Sequence, residues 1–407
     1  MRILNLSLTN YRNYERLDLE LGSGMSVFWG DNAQGKSNLL EAVYYLATMR
    51  SFRAATDRDV ISWSEAVDPL RFTRIAARVG RGREPYQIDV VLRANPRGEG
   101  GEASTFSKRI KINDVPRRAI DAVGTVTAVM FSPRDIQLIE GSPSIRRRYL
   151  DVTLSQEDPR YCRGLAHYGR VLLQRNHLLR SIRDRGTVLD ELHFWDNELL
   201  QSGAYLIARR LAAVAALAEN AREAYATLSR TAEELRVTYK SNVIDGDPLP
   251  ALEAIQEAFR VRLASAQVRE LRQGVSLVGP HRDDVMLDLD RNPVADYASR
   301  GQQRTVALAL KLAELQHLAH ETVELPILLL DDVFSELDPH RRRRVLGALD
   351  PDQQVLVTTA DAASVGRLTS DAAWFQVSHG RIERRIPAEL ISLGDPSFGG
   401  DGVTSKE

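Results

Sequence analysis

The stretch MSVFWGDNAQGKSNLLEAVYYLAT, Met25 to Thr48, decides the fold. Met25–Trp29 is a short apolar run ending at a glycine and reads as a buried strand. From Leu39 to Met49, the spacing of Leu39, Ala42, Val43 and Leu46 predicts a helix. Between them, Gly30-Asp31-Asn32-Ala33-Gln34-Gly35-Lys36-Ser37 satisfies GxxxxGK[ST] in full. The strand before and the helix after are the context that separates a phosphate-binding loop from a glycine-rich turn. Glycines let the backbone curl so that its N–H groups and the helix N-terminus face phosphate oxygens. The stretch from Gly30 through Ser37, with Asn38, is therefore a candidate nucleotide cradle. Lys36 is placed to bridge β- and γ-phosphates, and the Ser37 hydroxyl to enter a Mg²⁺ shell.

Ile327–Asp332, ILLLDD, is an apolar run ending in two carboxylates, as expected of a buried parallel strand whose carboxyl end meets a ligand. Asp331 is the candidate Mg²⁺ ligand, and Asp332 the group that orients and polarises an attacking water. Ser335-Glu336-Leu337-Asp338 follows, with Asp338 as a helix N-cap and Pro339 at the first helical position. Upstream, Ser299-Arg300-Gly301-Gln302 opens a helix carrying Val306, Leu308, Leu310, Leu312 and Leu315, and a helix N-terminus is a ready anion site.

Ser299–Gln302 resembles the LSGGQ signature of ATP-binding-cassette (ABC) ATPases, and Ser335–Asp338 resembles their D-loop. In that class the signature serine contacts the γ-phosphate held by the opposite subunit. The resemblance thus implies ATP as nucleotide and a head-to-tail, ATP-dependent homodimer. It places Lys36, Asp332 and Ser299 in catalysis, and Ser299, Gly301, Gln302 and Asp338 among the nucleotide contacts. Many relatives of the class carry glutamate where Asp332 stands, and the shorter side chain is expected to slow hydrolysis.

Composition sets bounds. The 407 residues, 43% hydrophobic and 27% charged, suit a globular chain of two or three domains, or one domain with a large insertion. No segment approaches the roughly 20 apolar residues needed to span a bilayer, and the first residues lack a secretory apolar core. A soluble, cytoplasmic protein without membrane partners is expected, and the single cysteine, Cys162, fits a reducing compartment. Net charge is −1, so nucleic-acid binding is neither announced nor forbidden. The basic runs Arg146–Arg148, Arg341–Arg344 and Arg381–Arg385 read first as solvated faces.

Alternation predicts strands at Ile3–Leu8, Leu17–Leu21, Arg74–Val79, Tyr86–Leu92, Arg109–Ile112, Val285–Leu289 and Val355–Val357. From about Pro159 to Arg272 nearly everything has helical spacing, interrupted at Ser241–Pro250. No heptad run is long enough for an extended coiled coil. The expected organisation is an α/β ATPase head from 1–132 and 273–386, a compact helical lobe at 133–272, and a disordered tail at 387–407. Asn95–Ser104 reads as a surface loop.

A closer resemblance rests on four stretches: Asn10–Tyr14 (NYRNY), Pro133–Asp151 (PRDIQLIEGSPSIRRRYLD), Val278–Asp284 (VGPHRDD) and Ser299–Thr305 (SRGQQRT). Together they resemble the bacterial RecF family of recombination mediators, from Met1 to about Ile386. The resemblance implies an SMC-like, P-loop ABC-type ATPase head with an inserted helical subdomain and no long coiled coil. It implies ATP-dependent binding of double-stranded DNA and of single-strand/double-strand junctions without sequence specificity, and weak, DNA-stimulated ATP hydrolysis. It also implies RecR and RecO as partners in loading RecA at gaps. Arg12 and Arg53 are possible nucleotide contacts by the same similarity, with surface ion pairs the competing reading; His281 reads as a hydrogen-bonded turn residue.

Two positions depart from the ABC pattern. Ser132 stands where the class places a Gln that binds Mg²⁺ and water, and Thr358-Thr359 stands where it places a switch histidine. Two alternatives follow: a nucleotide-dependent scaffold with incidental turnover, and a transporter ATPase subunit, which the helical insertion and the four stretches argue against.

Overall fold

Alternation along the first strand, β1 (Arg2–Tyr11), buries Ile3, Leu6 and Leu8, while Ser7 and Thr9 on the other face are only half-buried. A register shift between Ile3 and Asn5 marks a bulge that restores this facing. A two-residue turn leads to β2 (Tyr14–Glu20), with Tyr11 opposite Tyr14. The chain continues through β3 (Met25–Trp29), α1 (Lys36–Thr48), β4 (Phe72–Gly80), β5 (Tyr86–Ala94), β6 (Phe106–Ile112), β7 (Val115–Arg117) and β8 (Ala128–Phe131). The computed structural model describes residues 1–54, 56–61, 72–82, 84–94, 106–185, 190–229, 231–245, 249–366, 371–388 and 390. The expected loop at Asn95–Ser104, the tail from 391, and Gly246 with Pro248 of the predicted helix break lie outside the described residues.

Next come α2 (Pro143–Glu157), α3 (Pro159–Arg185), α4 (Asp190–Ser229), β9 (Leu235–Lys240), α5 (Leu252–Gln273), β10 (Asp284–Leu289), β11 (Asn292–Pro293) and α6 (Arg300–Thr322). The chain then enters β12 (Ile327–Asp331), α7 (Pro339–Gly347), β13 (Val355–Thr359), β14 (Ala373–Ser378) and β15 (Arg381–Arg384). Packing divides it into two units: Met1–Pro133 with Leu318–Glu407, and Arg134–His317.

The first unit holds two sheets. One is antiparallel, in the order β2-β1-β4-β5-β6-β7. The other, β15-β14-β3-β13-β12-β8, is parallel except for its edge strand β15. Inward residues of both sheets, including Leu8, Ile75, Val90, Leu329 and Leu356, join Leu39, Leu40, Val43 and Leu46 of α1 in one apolar cluster. Burial on nearly every side of α1 explains its weak amphipathicity, because a helix enclosed by its neighbours has no solvent face to mark.

In the second unit, helical spacing from Pro159 to Arg272 was expected nearly throughout, but β9 interrupts it. Leu235 and Val237 face inward, and the strand pairs antiparallel with β10, Leu235 opposite Leu289 and Lys240 opposite Asp284. Two buried arginines cross-link the helices. Arg175 reaches Asp196, Glu270 and Ser276, and Arg210 reaches Asp151, Tyr161 and the carbonyl of Pro280. A buried guanidinium is tolerable only when its donors are satisfied in this way. Among the described residues, no helix is long and apolar enough to cross a membrane.

Candidate nucleotide site

Because β3, β13 and β12 are adjacent and parallel, their carboxyl ends share one edge of the sheet. Thr359 pairs with Trp29, and Thr358 with both Phe28 and Asp331. Open α/β sheets bind ligands at such an edge. Here it carries the loop from Gly30 to Ser37 and the Asp331-Asp332 pair.

The loop needs its glycines. Gly30 has φ 146°, and a Cβ there would lie 2.3 Å from the carbonyl oxygen of Val377. Gly35, at φ 115°, would meet the Asn13 amide at 2.6 Å. Ala33, with φ 64°, is a left-handed non-glycine residue in the same turn. The loop is braced from both sides. Asn13 Nδ2 donates to the Gln34 carbonyl (2.8 Å) and Tyr14 Oη to the Gly35 carbonyl (3.0 Å). Asn38 donates to Asn13 Oδ1 (2.9 Å). From the β14–β15 turn, the His379 N–H donates to Gln34 Oε1 (2.7 Å), and the Gly380 N–H to the Gln34 carbonyl (3.2 Å). Asn32 takes part through its carbonyl, which accepts from Gln34 Nε2.

Lys36 is buried, and its ammonium donates to the carbonyls of Gly30 (2.6 Å) and Asp31 (2.7 Å). Burial pushes its pKa down, against the pull of Asp332, Asp31 and Asp331. Ser37 Oγ donates to Asp331 Oδ1 at 2.6 Å, joining two residues 294 positions apart. Asp332 sits in the left-handed region (φ 53°, ψ 25°), and its Oδ1 is buried without a hydrogen-bond partner. Burial raises its pKa, while Ser335 and Lys36 pull it down. Asp338 caps α7 by accepting from the N–H groups of His340 and Arg341, both at 3.0 Å, which holds its carboxyl below the usual range.

Among the described residues, no three His, Cys, Asp or Glu side chains cluster as a self-sufficient metal site. Ser37 and Asp331 nevertheless fit Mg²⁺, which takes one or two protein oxygens and fills its octahedron with water and phosphate. Ser132 follows β8 directly, and Thr358 lies on β13.

The second unit carries the signature stretch. The Ser299 N–H donates to Gln302 Oε1 (2.7 Å), and the Gln302 N–H to Ser299 Oγ (3.3 Å), a reciprocal capping box at the start of α6. Ser299 and Gly301 are exposed. Gln302 Nε2 donates to Glu233 Oε1 at 2.6 Å.

Other polar groups singled out in the sequence have structural partners. The Arg12 guanidinium binds Glu41 through two bonds (2.9 and 2.6 Å) and the Asp59 carbonyl. Arg53 reaches Asn38 Oδ1 at 3.5 Å. Arg146 forks onto Asp284, and Arg147 donates to the Asp283 carbonyl. His281 lies between Tyr168 Oη and the Ser276 carbonyl. Asn13 entered the sequence reading only within the NYRNY stretch, Thr358 only as a departure from a switch histidine, and Glu233 not at all; none was read as a contact of the loop, the acid pair or the signature turn.

Residues 2–382 match the family described as RecF/RecN/SMC N terminal domain. The chain is 42% identical over 369 residues to the DNA replication and repair protein RecF of Chloroflexus aurantiacus, covering 89% of this chain and 94% of that one. It is 36% identical over 388 residues to the protein of the same name from Bacillus subtilis, covering 94% and 100%. Among solved structures, the recombination mediator protein RecF with ATP in the RecFOR pathway aligns with a TM-score of 0.83 and 30% identity, over 94% of this chain and 97% of that one. An Smc head bound to the C-terminal winged-helix domain of ScpA aligns over 96% and 100% with a TM-score of 0.51 and 14% identity, a likeness of fold alone. The architecture is that of an SMC-like ABC ATPase head, and the chain belongs to the RecF family of DNA replication and repair proteins.

Proposed function

We propose that this protein is an ATP-dependent recombination mediator whose nucleotide-bound homodimer clamps duplex DNA beside single-strand gaps. The observation that carries the reading is the Ser37–Asp331 hydrogen bond, which brings the phosphate loop and the carboxylate strand into one geometry. In this reading the Gly30–Asn38 backbone and Lys36 take the phosphates, with Lys36 exchanging its two carbonyl partners for phosphate oxygens. Ser37 and Asp331 hold Mg²⁺, which neutralises phosphate charge when bound. Asp332, with one carboxylate oxygen buried and unpaired, orients and polarises the attacking water.

Ser299, Gly301 and Gln302 complete the site from a second copy, with Asp338 at the crossing, and head-to-tail pairing under two-fold symmetry closes two such sites at once. The functional division therefore remains a head of 1–132 and 273–386 around a lobe of 133–272, because the signature serves the nucleotide even though it packs within Arg134–His317. DNA contact is to the phosphate backbone, without base readout. RecR and RecO act as partners in RecA loading, in the cytoplasm, and weak, DNA-stimulated hydrolysis releases the clamp. The solved relative described as a recombination mediator with ATP in the RecFOR pathway supports this reading.

The test compares ATPase rates without DNA, with single strands and with duplex, alongside ATP-dependent retention of duplex. Duplex stimulation with retention is expected. Equal rates and no retention would remove the DNA clamp. Retention without measurable turnover would favour the scaffold reading, to which the Ser132 and Thr358 positions lend weight.

A further inference from the structure

Thr358 is fully buried on β13, between β3 and β12, opposite Phe28 on one side and Asp331 on the other. Its hydroxyl has two close partners, with the Leu330 carbonyl a longer third at 3.5 Å. Oγ1 donates to Asp331 Oδ1 at 2.9 Å and accepts from the Asp332 N–H at 3.0 Å. The same N–H also reaches the Thr358 carbonyl, at 3.2 Å. Asp331 Oδ1 thus receives hydroxyl protons from both Ser37 and Thr358. Two donors on one oxygen fix the plane of the carboxylate and leave Oδ2 as the oxygen that neither hydroxyl engages.

Asp332 needs similar support. Its left-handed backbone, open to Asp more readily than to most residues with a Cβ, still needs its surroundings to hold it in that one conformation. The bonds from its N–H to Thr358 supply that constraint and set where the Asp332 carboxylate points.

We infer that Thr358 is the positioning residue for both carboxylates, its single hydroxyl bracketing the metal-binding Asp331 and the water-orienting Asp332. The inference rests on the proposed reading of this edge as an ATP-hydrolysing site. A histidine at the switch position could act on the nucleotide from outside, whereas Thr358 acts from within the sheet, through the acid pair. Its effect should therefore fall on Mg²⁺ binding and turnover while sparing the affinity for metal-free nucleotide.

The experiment compares Thr358→Val, which keeps the branched shape and removes the hydroxyl, with Thr358→Ser, which keeps the hydroxyl and removes a methyl group. For Thr358→Val, loss of a hydrogen bond to a charged group should lower kcat roughly tenfold to a hundredfold. KM for the Mg²⁺–ATP substrate should rise about tenfold, in step with the loss of metal affinity, because binding of the metal–nucleotide pair is linked to binding of the metal. Mn²⁺ affinity, read by electron paramagnetic resonance with a non-hydrolysable ATP analogue, should weaken about tenfold. Metal-free nucleotide affinity should stay put. Thr358→Ser should restore all three within about threefold.

Thermal melting checks folding. If Thr358→Val does not fold, Thr358→Cys, with its weaker donor, takes its place and should shift the same readouts in the same direction. Wild-type kcat and Mn²⁺ affinity in a folded hydroxyl-free variant would overturn the inference, as would a Thr358→Ser protein as impaired as the valine variant. If the unsubstituted protein bound no nucleotide, the proposed function would fall first and this inference with it. Intact binding with an indifferent position 358 would sink this inference alone.

Discussion

The Glu233 carboxylate accepts a 2.6 Å hydrogen bond from the Gln302 side-chain amide, while the other end of that amide accepts from the Ser299 N–H. Glu233 is itself held by Tyr225 and Thr231, both at 2.9 Å, so the signature turn is tied to the end of α4. Removing Glu233 unties Gln302 and loosens the capping box that shapes Ser299 and Gly301. Under the proposed composite site, Glu233→Ala should weaken ATP-induced dimerisation about tenfold, the loss expected for a hydrogen bond to a charged group. Glu233→Gln keeps an acceptor and should stay within about threefold of the unsubstituted protein. Sedimentation velocity over a concentration series with ATP measures both, and equal dimerisation in all three proteins would show that Glu233 has no such role.

Lys36 and Ser299 separate the two halves of the proposed site. Lys36→Met removes the one ammonium that the loop folds around and should abolish both ATP binding and ATP-induced dimerisation. Ser299→Arg places a bulky cation on an exposed turn of the other unit, so ATP binding by the monomer should survive. Dimerisation and duplex-stimulated turnover should be lost. Fluorescent-nucleotide titration and sedimentation velocity read the two effects separately, and an arginine variant that still dimerises with ATP would contradict the composite site.

What could be read from the sequence was whatever local spacing encodes. The loop from Gly30 to Ser37, the strand ending at Asp331 and the Asp338-Pro339 cap each depend on residues a few positions apart, and each has the predicted local structure. Contacts that depend on distant pairing left no such trace. β9 was submerged between long helices because its partner β10 lies more than forty residues on. The turn at His379-Gly380 grips Gln34 across 345 positions, and no motif spans that distance. Thr358 was legible only as a departure from histidine; its bonds to the acid pair come from the register of β13 on β12.

Arg12 and Glu41 provide a stability test. Glu41 is fully buried, and the Arg12 side chain is 18% exposed. Arg12→Met strips this carboxylate of its bidentate partner and leaves Ser51 as a remaining donor. Breaking a buried pair from one side typically costs about 3–5 kcal/mol, so the urea midpoint should fall sharply. The double variant Arg12→Met/Glu41→Leu removes the stranded charge and should recover a large part of that loss, since apolar replacement of a buried pair is often close to neutral. A double variant no more stable than Arg12→Met would mean that the pair's role lies in packing and not in charge compensation.

His281 gives the second unit a pH signature. Burial pushes its pKa down to about 4; Arg282, Arg147 and Arg175 push the same way, against the Ser276 carbonyl. The unfolded chain, with an ordinary histidine, takes up a proton first as pH falls from about 6.5. Above that pH the imidazole is neutral in both states, and its contribution to stability is fully present. Between about pH 6.5 and 4 that contribution is lost, by about 3 kcal/mol at the limit. His281→Asn cannot titrate there, yet retains a donor and an acceptor for Tyr168 and Ser276. Unfolding free energies at pH 7.5 and 4.5 should therefore differ by about 2–3 kcal/mol more in the unsubstituted protein than in the variant. The comparison cancels the carboxylates common to both proteins, including the buried Asp283, whose own raised pKa works in the opposite direction. Parallel stability curves for the two proteins would show that His281 already carries its proton in the folded state.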